Sequence, residues 1–358
     1  MKRRLLFLGV VSILFSLIQI YPLVRIFGLV APQVEIPLLL LFALFALPFA
    51  IRLLTESLHT RWARQVAAVA MTYVGCSFVA LVLLVPAEAL LLVSGLYNDG
   101  LHNDDLHNEV GWAVVGLTSV FCAYGIANAL RIGVRILDVN APGHVRGHTF
   151  VQISDVHVGS RDARILQGIV GRVNQLNPRT VFITGDLVDM HGISETDLRG
   201  LGDIRAPTYF CIGNHERYVD VNAICRRLEN IGIVVLRNQT EVVAPLQVTG
   251  IDDAESREQV ATQLPKLQRA PDCYQILLYH RPDGIDAASR WGADLMLTGH
   301  THRGQIFPFY YLVKRVFPNI YGRYTDADVT LYVSPGTGTW GPVMRLGSQC
   351  EITLIRLL

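Results

Sequence analysis

The chain has 358 residues, 51% of them hydrophobic and only 17% charged, with a formal net charge of +1. Soluble domains carry about 25% charged residues, and the apolar excess lies before residue 135, so two unlike parts are expected. The near-zero net charge gives no global case for nucleic-acid binding. Six cysteines (Cys76, Cys122, Cys211, Cys225, Cys273 and Cys350) are scattered without a Cys-x-x-C pair. That spacing argues against a disulfide framework or a thiolate zinc site and favours a reducing compartment for the second part.

Four apolar runs open the chain, Leu5 to Val24, Ile36 to Leu54, Val66 to Val93 and Val110 to Leu130. Each is near or above the roughly 20 residues needed to cross a bilayer. Lys2, Arg3 and Arg4 precede the first run, but no small-residue cleavage site follows, so it reads as a retained helix rather than a signal peptide. Pro48 should kink the second helix. Lys and Arg sit at the N-terminus, in the second loop (Arg52, Arg61, Arg64) and after the fourth run (Arg131, Arg135, Arg146). The first loop, after Arg25, has none, and the third, Asn98 to Glu109, is acidic. The positive-inside rule then places both termini and the second domain in the cytoplasm of a multi-pass cell-membrane protein. His102, Asp104, Asp105, His107 and Glu109 of the third loop read as a solvated polar loop, with a metal site as the alternative. Glu88 is the only acidic candidate inside the third run, so anchoring is favoured over transport.

Asp138 to Gly147 reads as a linker, dividing the chain into a membrane anchor with linker, residues 1–145, and a second domain, residues 146–358. Strands and helices alternate in the second domain. Helical patterns cover Ala163 to Leu176, Val221 to Asn230, Glu255 to Leu267 and Ile285 to Trp291. Strand patterns include Ile233 to Leu236, Val242 to Thr249, Thr330 to Val333 and Glu351 to Ile355. The alternation predicts a layered α/β domain.

Five further apolar runs end in metal-capable side chains. Phe150 to Ser154 leads into Asp155-Val156-His157, and Thr180 to Gly185 into Asp186-Leu187-Val188-Asp189. Tyr209 to Gly213 leads into Asn214-His215-Glu216, and Gln275 to Tyr279 into His280. Asp294 to Leu297 leads into Gly299-His300-Thr301-His302. Sites in α/β sheets form beyond the carboxyl ends of strands, so five such ends predict one converging constellation.

These blocks, in this order, resemble the calcineurin-like metallophosphoesterases, whose pattern is Asp-x-His, Gly-Asp-x-x-Asp, Gly-Asn-His-Asp/Glu, a separate His, and Gly-His-x-His. The likeness covers Arg146 to Leu358. It implies a two-sheet sandwich flanked by helices and a site for two divalent metal ions. By resemblance, one ion takes Asp155, His157, Asp186 and His302, and the other takes Asp186, Asn214, His280 and His300, with Asp186 bridging. A bridging water would supply the hydroxide nucleophile. The mixed nitrogen and oxygen donors suit Mn, Fe, Zn or Co. His215 is the catalytic candidate, stabilising the phosphoryl charge or protonating the leaving group. Asp189 and Glu216 would orient histidines or main chain. Arg281 and Arg303 would hold phosphate or lie on the surface, and the glycine-rich stretch Pro335 to Gly341 would border the pocket.

Met190 and His191 follow Asp189 where protein serine/threonine phosphatases carry Arg-Gly, which disfavours a protein phosphatase. The wording Gly299-His-Thr-His-Arg-Gly-Gln-Ile306 looks more like the bacterial phosphodiesterase branch, with its membrane-associated relatives and UDP-diacylglucosamine pyrophosphate hydrolases. The leading expectation is a membrane-anchored dinuclear phosphoesterase acting on a phosphodiester or pyrophosphate, with a lipid-linked substrate favoured by the anchor. The alternative is a membrane sensor or scaffold of the same fold with little turnover, but all seven expected ligands are present. The run Ile306 to Val313 is either core packing or an apolar lip at the bilayer.

Overall fold

The computed structural model describes residues 2–97 and 104–358. The chain forms two compact units, Met1–Leu58 with Val66–Ala127 and Gly341–Met344, and His59–Gln65 with Asn128–Trp340 and Arg345–Leu358.

The first unit is helical: α1 (Lys2–Val30), α2 (Leu38–Leu58), α3 (Arg61–Tyr97) and α4 (Asp104–Ala129). Three stretches, Leu38–Thr55, Arg61–Gly95 and Asp104–Ala129, are long and apolar enough to cross a membrane, and Leu14–Val30 is a shorter apolar helix. Their apolar side chains are largely exposed, including Leu38, Leu39, Val69, Val85 and Leu92. Such surface is stable only against lipid or protein. Glu88 is not an isolated acid. Its carboxylate accepts two bonds from the Arg25 guanidinium of α1 and lies 3.5 Å from Tyr21 Oη. Charge paired in this way costs less to embed than a lone carboxylate.

The acidic third loop is shorter than its sequence pattern implies. Asp104 and Asp105 form the first turn of α4, and His107 and Glu109 lie within that helix. Acidic groups at a helix N-terminus complement its dipole, which favours early initiation. His102 lies outside the described residues.

The second unit holds twelve strands: β1 (Ile132–Val139), β2 (Thr149–Ile153), β3 (Thr180–Thr184), β4 (Thr208–Cys211), β5 (Val234–Val235), β6 (Gln239–Val243), β7 (Leu246–Gly250), β8 (Tyr274–Leu278), β9 (Leu295–Thr298), β10 (Gly322–Asp326), β11 (Val329–Val333) and β12 (Cys350–Leu357). They form two mixed six-stranded sheets, ordered β1-β12-β2-β3-β4-β5 and β10-β11-β9-β8-β7-β6. The central strands are buried on both faces, which explains their unbroken apolar runs. In β3, Phe182 joins the core between the sheets, while Val181 and Ile183 pack with the helices Ile165–Leu176 and Val221–Asn230. In β9, Leu295 and Leu297 point to the inter-sheet core, and Met296 packs with Ala287 and Ala288 of the helix Ile285–Trp291.

The stretch Val242 to Thr249, which reads as one strand, is the hairpin of β6 and β7. Pro245 lies between them, and proline cannot continue a central strand. Strand β1 has no counterpart in the sequence expectation. It pairs in parallel with β12, from Ile132 opposite Cys350 to Val139 opposite Leu357.

Candidate metal centre

Strands β2, β3 and β4 run parallel in the first sheet, as do β8 and β9 in the second, so their carboxyl ends can converge. Buried Gln152 ties the two sheets together just below the site. Its amide donates to Thr184 Oγ1 (2.9 Å) on β3 and to the Thr298 carbonyl (2.8 Å) on β9.

The turns beyond these strands are unusual in a consistent way. Asp155, His157, Asp186, His300 and His302 all have φ between 48° and 72°. Non-glycine residues rarely adopt this left-handed region, and clusters of them mark sites where surrounding structure over-determines the backbone. Here the turns interlock. Asp155 N–H donates to the Gly185 carbonyl (3.1 Å) and His157 N–H to the Asp186 carbonyl (3.0 Å). Two glycines permit the approach. A Cβ at Gly213 would lie 2.2 Å from Asp186 Oδ1, and one at Gly299 would lie 2.0 Å from Ser154 Oγ.

The side chains then face one another. His157 Nε2 and His302 Nε2 are 3.0 Å apart, and His302 Nε2 is 3.4 Å from Asp155 Oδ1. His280 Nε2 lies 3.0 Å from Asp186 Oδ2 and 3.1 Å from His300 Nδ1. Asp186 Oδ2 is also 3.9 Å from Nε2 of both His157 and His215. Among the described residues, three groups offer ligand atoms all within 4.8 Å of one another: Asp155/His157/His302, Asp186/His280/His300 and His157/Asp186/His215. Asp186 is shared by two of them. Asn214 is buried, and its Oδ1 has no hydrogen-bond partner. This buried amide oxygen, left without a partner beside the cluster, is available to a cation.

The electrostatics point the same way. Burial opposes charge on His280, but Asp186, Asp155 and Asp253 outweigh it and push the imidazole up to about 10. Burial also opposes charge on Asp186, yet His280, His215 and His157 hold its carboxyl well below the usual range. Burial and the neighbouring imidazoles keep His300 and His302 well below their ordinary value, hence neutral. His300 and His302 are thus ready ligands, and a divalent cation would displace the proton that the carboxylates hold on His280, since metal ligands must be deprotonated. The residues present therefore fit divalent metal binding.

Supporting contacts fix the ligands. His280 Nδ1 lies 2.8 Å from the Thr184 carbonyl, which turns Nε2 toward Asp186. Asp189 Oδ2 is 3.4 Å from His157 Nδ1, and the same carboxylate accepts from Ser160 N–H. Glu216 orients main chain, accepting from the amides of Asp186 (3.0 Å), Val188 (2.8 Å) and Gly213 (2.8 Å). Burial, then Asp186, raises it to about 7. The glycine-rich loop also borders the site. Thr337 and Gly338 donate main-chain bonds to the Ser154 and Asp155 carbonyls (2.7 and 2.9 Å), so this segment is pinned, with Thr337 fully buried. Trp340 remains exposed, its ring 5.7 Å from that of His215.

Of the two arginines beside the histidines, Arg281 is committed to a carboxylate and Arg303 stacks on a ring. Arg281 is bidentate to Asp253 (2.6 and 3.2 Å), and Arg303 lies 4.4 Å over the Tyr321 ring. The arginine that contacts the site is one the sequence did not single out. Fully buried Arg345 donates to the His302 carbonyl (2.8 Å) and the Gly338 carbonyl (2.6 Å), and its NH2 group is 3.2 Å from His302 Nδ1. It locks the last ligand turn to the glycine-rich loop.

Residues 148–304 match the calcineurin-like phosphoesterase family. An uncharacterised metallophosphoesterase of Aquifex aeolicus is 32% identical over 224 residues, which is 57% of this chain and 82% of that protein. The chain belongs to the calcineurin-like metallophosphoesterases. A transmembrane protein with metallophosphoesterase domain from Danio rerio is 35% identical over 266 residues, covering 67% of this chain and 61% of the relative. An uncharacterised metallophosphoesterase of Campylobacter jejuni is 32% identical over 255 residues, covering 67% of each chain. The chain thus spans about three fifths to two thirds of these two relatives. Phosphoesterases of this family are hydrolases, and the likeness to a transmembrane relative accords with the three long apolar helices.

Proposed function

We propose that this protein is a membrane-anchored phosphoesterase that hydrolyses a phosphodiester or pyrophosphate bond at a dinuclear metal centre. The observation that carries the reading is the set of facing ligand atoms at the shared carboxylate of Asp186. Asp155, His157, Asp186 and His302 would hold one ion, and Asp186, Asn214, His280 and His300 the other. When bound, such ions neutralise phosphoryl charge and lower the pKa of a coordinated water, so no side-chain nucleophile is required.

The chain's own residues do the rest. Burial of Gln152, Thr184 and Thr298 beneath the ligands keeps water out of the floor of the site. His215, like the proposed ligand His300, is only part-buried. Its side chain is 16% exposed, while those of His157 and His280 are 0% exposed. It therefore stands where substrate enters. Burial lowers it to about 4, so its imidazole is neutral at neutral pH and can donate an N–H to a phosphoryl or leaving-group oxygen.

The anchor comprises four membrane helices, with the catalytic unit in the cytoplasm. Two observations support this. Lys and Arg concentrate in the N-terminus, at the facing ends of α2 and α3 (Arg52, Arg61, Arg64) and in the segment after α4. The connection after α2 and the start of α3, His59–Gln65, also belong to the catalytic unit, where Arg61 is bidentate to Asp162 (3.0 and 3.0 Å) and Gln65 donates to the same carboxylate (3.0 Å). A reporter fused after Leu358 is expected to be active in the cytoplasm. Activity only on the far side would overturn the topology.

A lipid-linked substrate gives the anchor a purpose, because confinement to the bilayer raises its effective concentration. The expected result is a higher kcat/KM for a phospholipid ester in mixed micelles than for its chain-free analogue. Equal efficiency would leave a tethered general phosphodiesterase.

A further inference from the structure

The segment from Phe307 to Val316 does not pack as core. Ile306 is buried, but Phe307, Phe309, Tyr311, Leu312 and Val316 are each between 46% and 61% exposed. The helix Tyr310–Val316 buries none of its residues. The helix rests on the domain through part-buried Tyr310 and Val313 and an Arg257 bond to the Val316 carbonyl (2.9 Å), so its exposed apolar face calls for a partner.

Its position ties it to the site. The segment begins directly after the turn bearing His302, and Phe317 at its end lies edge-on to the His300 ring at 4.9 Å. Gln305, at its start, exchanges two hydrogen bonds with the main chain of Trp340 (2.9 and 3.0 Å), the exposed indole beside His215. Trp340 and the helix thus form one apolar rim along one side of the metal centre.

Charge narrows the choice of partner. Residues 305–325 contain Lys314, Arg315 and Arg323 and no Asp or Glu. Lys314 and Arg315 are exposed in the last turn of the helix. Aromatic and aliphatic side chains bordered by unpaired-sign basic residues are the composition of segments that lie in the interface of an anionic bilayer. The tether supplies the bilayer: only Leu130 and Arg131 separate the end of α4 from the start of β1.

We infer that the segment from Phe307 to Val316 is an interfacial anchor, which inserts Phe309, Tyr311 and Leu312 into the headgroup region of an anionic membrane and holds the rim of the catalytic site against it. The inference rests on the reading of the helical unit as a membrane anchor. It implies that the site takes its phosphoester from the membrane surface.

The test uses the full chain in nanodiscs, with a nitroxide at Leu312→Cys, at Val85→Cys on the exposed face of α3, and at Glu229→Cys on the exposed side of the helix Val221–Asn230. The unsubstituted protein, labelled in parallel, gives the background from its own cysteines. Collision with oxygen reports lipid, and collision with a soluble nickel chelate reports water. The Leu312 label should favour oxygen in discs containing phosphatidylglycerol, as the Val85 label does, whereas the Glu229 label favours nickel. Lys314→Ser/Arg315→Ser, or discs of phosphatidylcholine alone, should shift the Leu312 label toward water. A Leu312 label as open to nickel as the Glu229 label would overturn the inference, and so would spin–spin broadening that shows a second copy on this surface. A Val85 label in water would remove the anchor reading itself, and the interfacial role with it.

Discussion

Asp186→Ala is expected to abolish hydrolysis and to empty the whole metal centre. The Asp186 carboxylate is the only group common to Asp186/His280/His300 and His157/Asp186/His215, and Oδ2 sits 3.0 Å from His280 Nε2. Its other oxygen accepts the His215 N–H at 2.9 Å, so alanine also releases the turn that carries Asn214. Loss of the several kcal/mol that a metal pair supplies corresponds to a fall of about 10³-fold or more in turnover. Asp186→Asn keeps the shape and can still accept the amide, but it removes the charge that offsets two cations. It should therefore retain the fold by circular dichroism while binding metal far more weakly. Two ions retained in Asp186→Ala, with turnover intact, would refute the shared-ligand assignment.

His215→Ala should behave in the opposite way toward metal. The ring is the most exposed imidazole among those clustered around Asp186 Oδ2, and it lies 3.9 Å from that oxygen. Its removal leaves every proposed ligand in place. Turnover should fall by roughly 10²–10³-fold, the usual cost of removing one hydrogen-bond donor to a developing oxyanion, with metal content near that of the intact protein. The loss should shrink for a substrate whose leaving group is already acidic, such as a nitrophenyl ester, because the charge on that oxygen needs less help from a donated N–H. An equal loss for acidic and basic leaving groups would point to phosphoryl-charge stabilisation instead. Loss of metal in step with activity would make His215 a ligand.

The site was legible because its residues depend on local grammar. Each block is a short apolar strand and a polar turn, three of them joined by a glycine (Gly185, Gly213 and Gly299), and the parallel pairing of β2, β3 and β4 brings those turns together. The glycines at 213 and 299 belong to the same grammar, since no larger residue fits against Asp186 and Ser154. What the sequence hid depends on distant contacts. Strand β1 is recognisable only through its partner β12, more than two hundred residues later. Arg345 looks like any surface arginine until the turn at His302 closes over it. Arg281 could be read as a phosphate ligand or a surface residue, but Asp253, distant in sequence, occupies it. The hairpin of β6 and β7 was different, because Pro245 announced the break and the apolar run around it masked the signal.

The measurement that tests the central claim most directly is metal analysis of the purified intact protein coupled to hydrolysis of bis-p-nitrophenyl phosphate. Two divalent ions per chain are expected, with activity lost on chelation and restored by at least one of Mn, Fe, Zn or Co. Hydrolysis that persists in fully metal-free protein, or a chain that binds no divalent ion under any of these additions, would contradict the account.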